Sequence, residues 1–200
     1  SNVDNSSYFG FVQGLDVDIS SFLNFKSIKN TDFKFEIRGK GFTSNYLDSS
    51  IEGTIEDLLF DNTRLSNIDV FGQVKDQVFD GNLSVNDDKL NLKFNGLVDF
   101  TEELIDFDFN SKIEKAVLKE LSFDDDGIIS GDFDVKLRGN SLEDLIGDLK
   151  LENVIYKKEQ KSVLFSQLIA QLRNNEGDRI INISSDDIVS GIMIGEYDIM

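Results

Sequence analysis

Two hundred residues with 40% apolar content are enough for a sizeable buried or half-buried surface, so the bulk of the chain is expected to be ordered. The 38 acidic residues outnumber the 20 basic ones, and a formal charge of -18 repels a phosphate backbone, which sets nucleic acid aside as a partner. With no Cys and no His, the chain lacks a disulfide, a thiolate nucleophile, an imidazole base and the usual zinc ligands.

Read in chain order, apolar residues alternate with polar ones, the period-2 signature of strands with one oily and one wet face. The series runs through Leu15, Val17 and Ile19, then Phe33, Phe35 and Ile37, then Leu90, Leu92 and Phe94. It continues with Ile105, Phe107 and Phe109, with Phe133, Val135 and Leu137, with Leu149 and Leu151, and with Ile181 and Ile183. Strands that expose charge on one face belong to an antiparallel sheet rather than to a parallel one covered by helices on both sides. The clusters Asp80-Gly81-Asn82, Asn86-Asp87-Asp88, Asp125-Asp126-Gly127 and Asn174 to Asp178 read as tight turns, which makes the sheet a meander. Helix is sparse: short stretches are expected at Ser44 to Ser49 and Ser141 to Ile146, and a helical turn after a strand within Lys112 to Leu121.

The segment Phe35-Glu36-Ile37-Arg38-Gly39 returns as Val135-Lys136-Leu137-Arg138-Gly139, 135 − 35 = 100 positions later. Leu65 to Phe71 has a counterpart in Phe165 to Leu172, and Asp80 to Val85 one in Arg179 to Ser184. The expected organisation is therefore two units, about residues 15–110 and 111–200, of a repeat that can be extended. The final Gly195 to Met200 reads as a strand pattern broken off, so the chain is taken as a fragment of a longer protein. A sandwich core is the plain reading of Phe and Leu stripes on strands. The repeat and the broken ending favour one sheet that curls into an open trough, with strands of about six to eight residues spanning roughly 20 to 26 Å.

Chemical motifs fall away on inspection. No pair among the many carboxylates stands out for glycoside hydrolysis, which needs two acids about 5 to 10 Å apart. Asp124-Asp125-Asp126-Gly127 suggests calcium, but an EF-hand loop would put Ser122 at its first ligand position and Phe133 at its twelfth; a structural turn is preferred over incidental calcium binding. Gly39 and Gly41 lack the Lys-Ser/Thr pair of a phosphate loop and read as turn glycines. No enzyme, metal or cofactor is expected.

The runs Ile68-Asp69-Val70-Phe71-Gly72, Val78 to Val85 and Leu90 to Phe100 resemble the TamB family, the translocation and assembly module of the Gram-negative envelope. Phe107-Asp108-Phe109 with Ala116, Leu118 and Leu121 is similar to the same family. Arg138-Gly139-Asn140-Ser141-Leu142, continuing through Leu145-Ile146-Gly147, resembles a step repeated in the wider AsmA-like superfamily. The resemblance covers about Leu15 to Tyr197. It implies an all-β, elongated antiparallel meander curled into an open hydrophobic groove, a β-taco or repeating β-groove. It also implies a periplasmic setting in a parent protein anchored in the inner membrane, and phospholipid carried toward the outer membrane. Partners implied are phospholipid acyl chains, an outer-membrane protein of the Omp85 class, and further repeats of the same chain at both ends. The alternative is a scaffold for outer-membrane β-barrel assembly acting by β-augmentation. The candidate lining is Phe33, Phe35, Ile37, Leu90, Leu92, Phe94, Phe107, Phe109, Phe133, Val135, Leu137, Leu149, Leu151, Ile181 and Ile183.

Overall fold

The computed structural model describes residues 6–41, 48–141, 143–175, 178–185, 187 and 191–195. They form one sheet of twelve strands in which spatial order equals chain order, every neighbouring pair being antiparallel, with the two outermost strands unpaired to each other. The strands are β1 (Ser7–Asp18), β2 (Ile28–Lys40), β3 (Asp48–Phe60), β4 (Thr63–Lys75), β5 (Val78–Asn86) and β6 (Leu90–Asp99). They continue as β7 (Ile105–Val117), β8 (Ile128–Gly139), β9 (Ile146–Lys158), β10 (Lys161–Asn175), β11 (Asp178–Ser184) and β12 (Gly191–Gly195). Helix amounts to α1 (Ser20–Leu23) after β1 and a 3-10 turn, Lys119–Leu121, after β7.

The expected meander and the strand running into a helical turn at Lys112 to Leu121 match these elements; several local expectations do not. Most strands are 12 or 13 residues long rather than six to eight. Asp80-Gly81-Asn82 lies inside β5, where Gly81 pairs with Gly72 and Gly96 on its two sides; cross-strand pairing overrides the local turn signal. Gly39 belongs to β2, while Gly41 follows it with φ 75°. The stretch from Ser141 is a turn rather than a helix, because Asp144 Oδ1 accepts from the N–H groups of both Asn140 and Ser141 at 2.8 Å and ties the chain back on itself. Of the other expected helix, residues 44–47 lie outside those described, and Asp48 and Ser49 open β3.

The connections alternate between two rims of the sheet. One rim carries residues 19–27, 61–62, 87–89, 118–127 and 159–160; the opposite rim carries 76–77, 100–104 and 140–145. A flat sheet of 13-residue strands would hold the rims about 43 Å apart. Yet the Lys26 N–H donates to the Asn140 carbonyl at 2.9 Å, and Asn24 Nδ2 donates to the Glu103 carbonyl at 3.0 Å. The sheet therefore curves until opposite rims touch. Register shifts between Gly14 and Val17, between Asp32 and Phe33, between Ile113 and Ala116 and between Ser130 and Asp132 mark bulges, which bend strands and increase their twist.

Carboxylates just beyond β5 and β11 satisfy backbone donors within β4 and β10. The Ser66 N–H and Oγ donate to Asp87 Oδ2 at 3.0 and 2.8 Å, and 100 residues later the Ser166 N–H and Oγ donate to Asp187 at 2.5 and 3.4 Å. The first bulge changes one expectation. Asp16, at φ 53°, is the extra residue, so Leu15 and Val17 do not continue one face, and Leu15 is 66% exposed.

Candidate functional site

Pairing fixes which side chains share a face, because directly opposed residues point the same way. Phe33, Phe35 and Ile37 pair with Ile55, Gly53 and Ile51. From there the rows run through Ile68, Val70 and Gly72, then Val85, Leu83 and Gly81, then Leu92, Phe94 and Gly96. They continue through Ile113, Ser111 and Phe109 to Phe133 and Val135, then to Leu151 and Leu149. Leu149 pairs with Ala170 and Ala170 with Ile183; Leu172 pairs with Ile181. Leu90 and Leu137 follow by alternation, and Phe107 pairs with Leu137. All fifteen residues expected to line one surface therefore stand on one face.

Only Val135 among the fifteen is buried; the other fourteen are half-buried. Phe94 and Phe109 pack ring to ring at 4.5 Å, and Phe33 stacks on Phe35 at 5.1 Å. Every glycine within a strand also falls on this face, from Gly10 to Gly195. Rings from adjacent positions cover the bare backbone there: a Cβ on Gly72 or Gly81 would lie 2.6 Å from the Phe79 ring. At Gly96, with φ 156°, a Cβ would come within 2.5 Å of the Asp108 carbonyl oxygen.

One end of the face is sealed. Leu58, Leu65, Ile68 and Val85 form a buried cluster, with Ile55, Phe60, Val70, Leu83, Leu92 and Leu121 packed against it. Leu121 reaches it from the 3-10 turn, which is fastened where Thr63 Oγ1 donates to the Glu120 carbonyl at 3.0 Å. At the opposite rim, Phe25 packs edge-on against Phe107 with ring centroids 5.4 Å apart, and Phe25 is 7% exposed. Sequence reasoning missed Ile51, Ile55, Ile68, Val70, Leu83, Val85 and Phe25. All but Phe25 carry the same alternation, with glycine interrupting the apolar series in several strands; Phe25 sits in a connection and carries no periodic signal.

The other face is charged and laddered. Asp108 pairs with Lys136 at 3.3 Å and Asp148 with Arg173 at 2.7 Å, while Arg138 forks onto both oxygens of Asp106. The Arg138 hydrogen bond holds the Asp106 carboxyl below its ordinary range. Two shallow concavities, of about 360 and 510 Å³, open on this side, and the cations of the larger one are engaged by these carboxylates.

The turn at Asp124 to Gly127 is organised by its own hydrogen bonds. Asp125 Oδ1 accepts from Tyr156 Oη at 2.8 Å and from the Gly127 N–H at 2.6 Å, and Lys158 Nζ lies 3.3 Å from Oδ2. These donors, Tyr156 foremost, lower the Asp125 pKa. Among the described residues no group of three or more His, Cys, Asp or Glu side chains is arranged to hold a metal ion, and no helix is long and apolar enough to cross a membrane. Comparisons of the chain with family models, with curated proteins and with solved structures found no match.

Proposed function

We propose that this chain is a segment of a lipid-carrying conduit, whose curved sheet forms an open trough lined by the apolar face. The observation that carries the reading is that this face runs unbroken across β2 to β11 while fourteen of its fifteen expected lining residues keep partial contact with solvent. The sheet is also extended. Its accessible surface of 12426 Å² exceeds the roughly 9,500 Å² of a compact protein of this mass. Each methylene of an acyl chain laid on such a face gains about 0.8 kcal/mol, so several tails can be held without a covalent step, their headgroups remaining in water at the rims. The element order supports two units near the boundaries 15–110 and 111–200: β2 and β8 begin 100 residues apart, as do β5 and β11. The setting between two membranes, an inner-membrane anchor and an outer-membrane partner of the Omp85 class follow from the TamB-like resemblance.

The test is photo-crosslinking in cells from a reactive residue at position 94 or 109. Lipid adducts are expected from these and not from positions 93 or 108 on the charged face; equal capture from both faces would remove the trough. A second reading, a scaffold acting by β-augmentation, is favoured by β1. It pairs only with β2 among the described residues, which leaves its outer edge open, and its Phe9 is 59% and its Phe11 76% exposed. A Phe94→Glu exchange separates the two: a conduit loses lipid and keeps its strands, whereas a scaffold with Phe94 in an ordinary core unfolds by circular dichroism.

A further inference from the structure

Two connections share one design. After β1, α1 ends on Asn24 in the left-handed region at φ 53°, and the next residue, Phe25, donates its N–H to the Ser20 carbonyl at 3.1 Å. After β7, the 3-10 turn ends on Ser122 at φ 69°, and the next residue, Phe123, donates its N–H to the Leu118 carbonyl at 3.0 Å. Each places a phenylalanine directly after the reversal, its amide tied to the carbonyl five residues back.

Their surroundings differ. Phe25 rests against Phe107, and its neighbours Asn24 and Lys26 are pinned to the carbonyls of Glu103 and Asn140. Phe107 stands on β7, five strands along from β2, which Phe25 precedes. Phe123 is 42% exposed and has no ring partner among the described residues. Five strands along from β8 is the position next to β12, the outermost strand of the described sheet.

We propose that Phe123 is a docking knob for a further unit of this strand pattern, one that adds alongside β12 and presents an aromatic ring on its apolar face as β7 presents Phe107. A second copy of the chain does not meet that requirement. Gly10 pairs with Ile37 as Phe107 pairs with Leu137, 100 residues on, so the first strand of a copy offers a glycine where the ring is needed. The docked form of the knob already exists within the molecule at Phe25. The proposal stands apart from lipid transport.

A photoreactive phenylalanine analogue placed singly at positions 25 and 123, in the protein as its cells produce it, tests this. Position 25 should mark the peptide holding Phe107. Position 123 should mark a peptide with the alternating strand pattern and an aromatic residue on the apolar register. Adducts from position 123 only with lipid or with β1 of a second copy, or no peptide adduct, would overturn the proposal, as would failure of position 25 to mark Phe107. As a second measurement on the 200-residue chain, F123A should leave Tm within about 2 °C, as for an exposed side chain, while F25A lowers it by clearly more. An equal loss from F123A would put that ring in this chain's own core and refute the docking role.

Discussion

The sealed rim under the 3-10 turn and the open middle of the apolar face are built from the same kinds of residue at the same period, yet only the first excludes water. Ile68 is 1% exposed and Val85 4%, while Phe33, farther along the same row, and Phe94 and Phe133 on the next row are half-buried. The difference lies in what covers them. The 118–127 connection is ten residues long and folds back to Thr63, bringing Leu121 onto the cluster; the two-residue turns at 61–62 and 76–77 are too short to cover anything. In a single-layer sheet, then, core is created where a connection is long enough to act as a second layer, and open surface remains wherever connections are tight.

The strongest way to break this comparison is to cut into the sealed end. Ile68→Ala should cost about 2–5 kcal/mol in denaturant unfolding, the range for a fully buried aliphatic side chain, whereas Phe94→Ala should cost no more than about 1.5 kcal/mol. Equal losses would mean that Phe94 sits in closed core. Next come the glycines. Gly96→Val forces a side chain against the Asp108 carbonyl from a backbone that L residues rarely adopt and should cost about 2–4 kcal/mol; Gly10→Ala, with nothing within 4 Å of its new Cβ, should stay within about 0.5 kcal/mol.

Acid should act on the sealed end through Asp87. Its burial would raise the carboxyl pKa, but hydrogen bonds from the Lys89 N–H and from Ser66 outweigh that and hold it below the ordinary 3.8. A folded-state value below the unfolded one contributes stability that is complete above the unfolded value and is lost as pH falls through the folded value. Denaturation midpoints measured between about pH 6 and about pH 3 should therefore fall less steeply in Asp87→Asn than in the parent chain. The smallest effect belongs to the charged face. Arg138→Ala removes a forked but exposed pair with Asp106 and should change stability by about 0–1 kcal/mol, less in high salt.

How much of this was legible in advance follows the range of each force. Alternation is local, so Phe33, Leu92, Phe109 and Leu149 could be assigned to one surface from spacing alone, and pairing puts them there. Asp80-Gly81-Asn82 was misleading because its turn chemistry is local, whereas its strand identity comes from Gly72 and Gly96 on either side. The bulge at Asp16 reverses the face of Leu15 without any change in apolar rhythm. The contact between Lys26 and Asn140 depends on curvature summed over several strands, and no window of sequence contains it.

The order of the strands in space repeats the order in which they leave the ribosome. Each new strand finds its partner already waiting in the segment just synthesised, so loop closure is short at every step and the sheet can lengthen during translation. Contacts such as Phe25 with Phe107 must wait for five more strands and form late. Pulled from its last strand, such a molecule should unzip one hairpin at a time, with the first large force peak at the point where that late contact lets go.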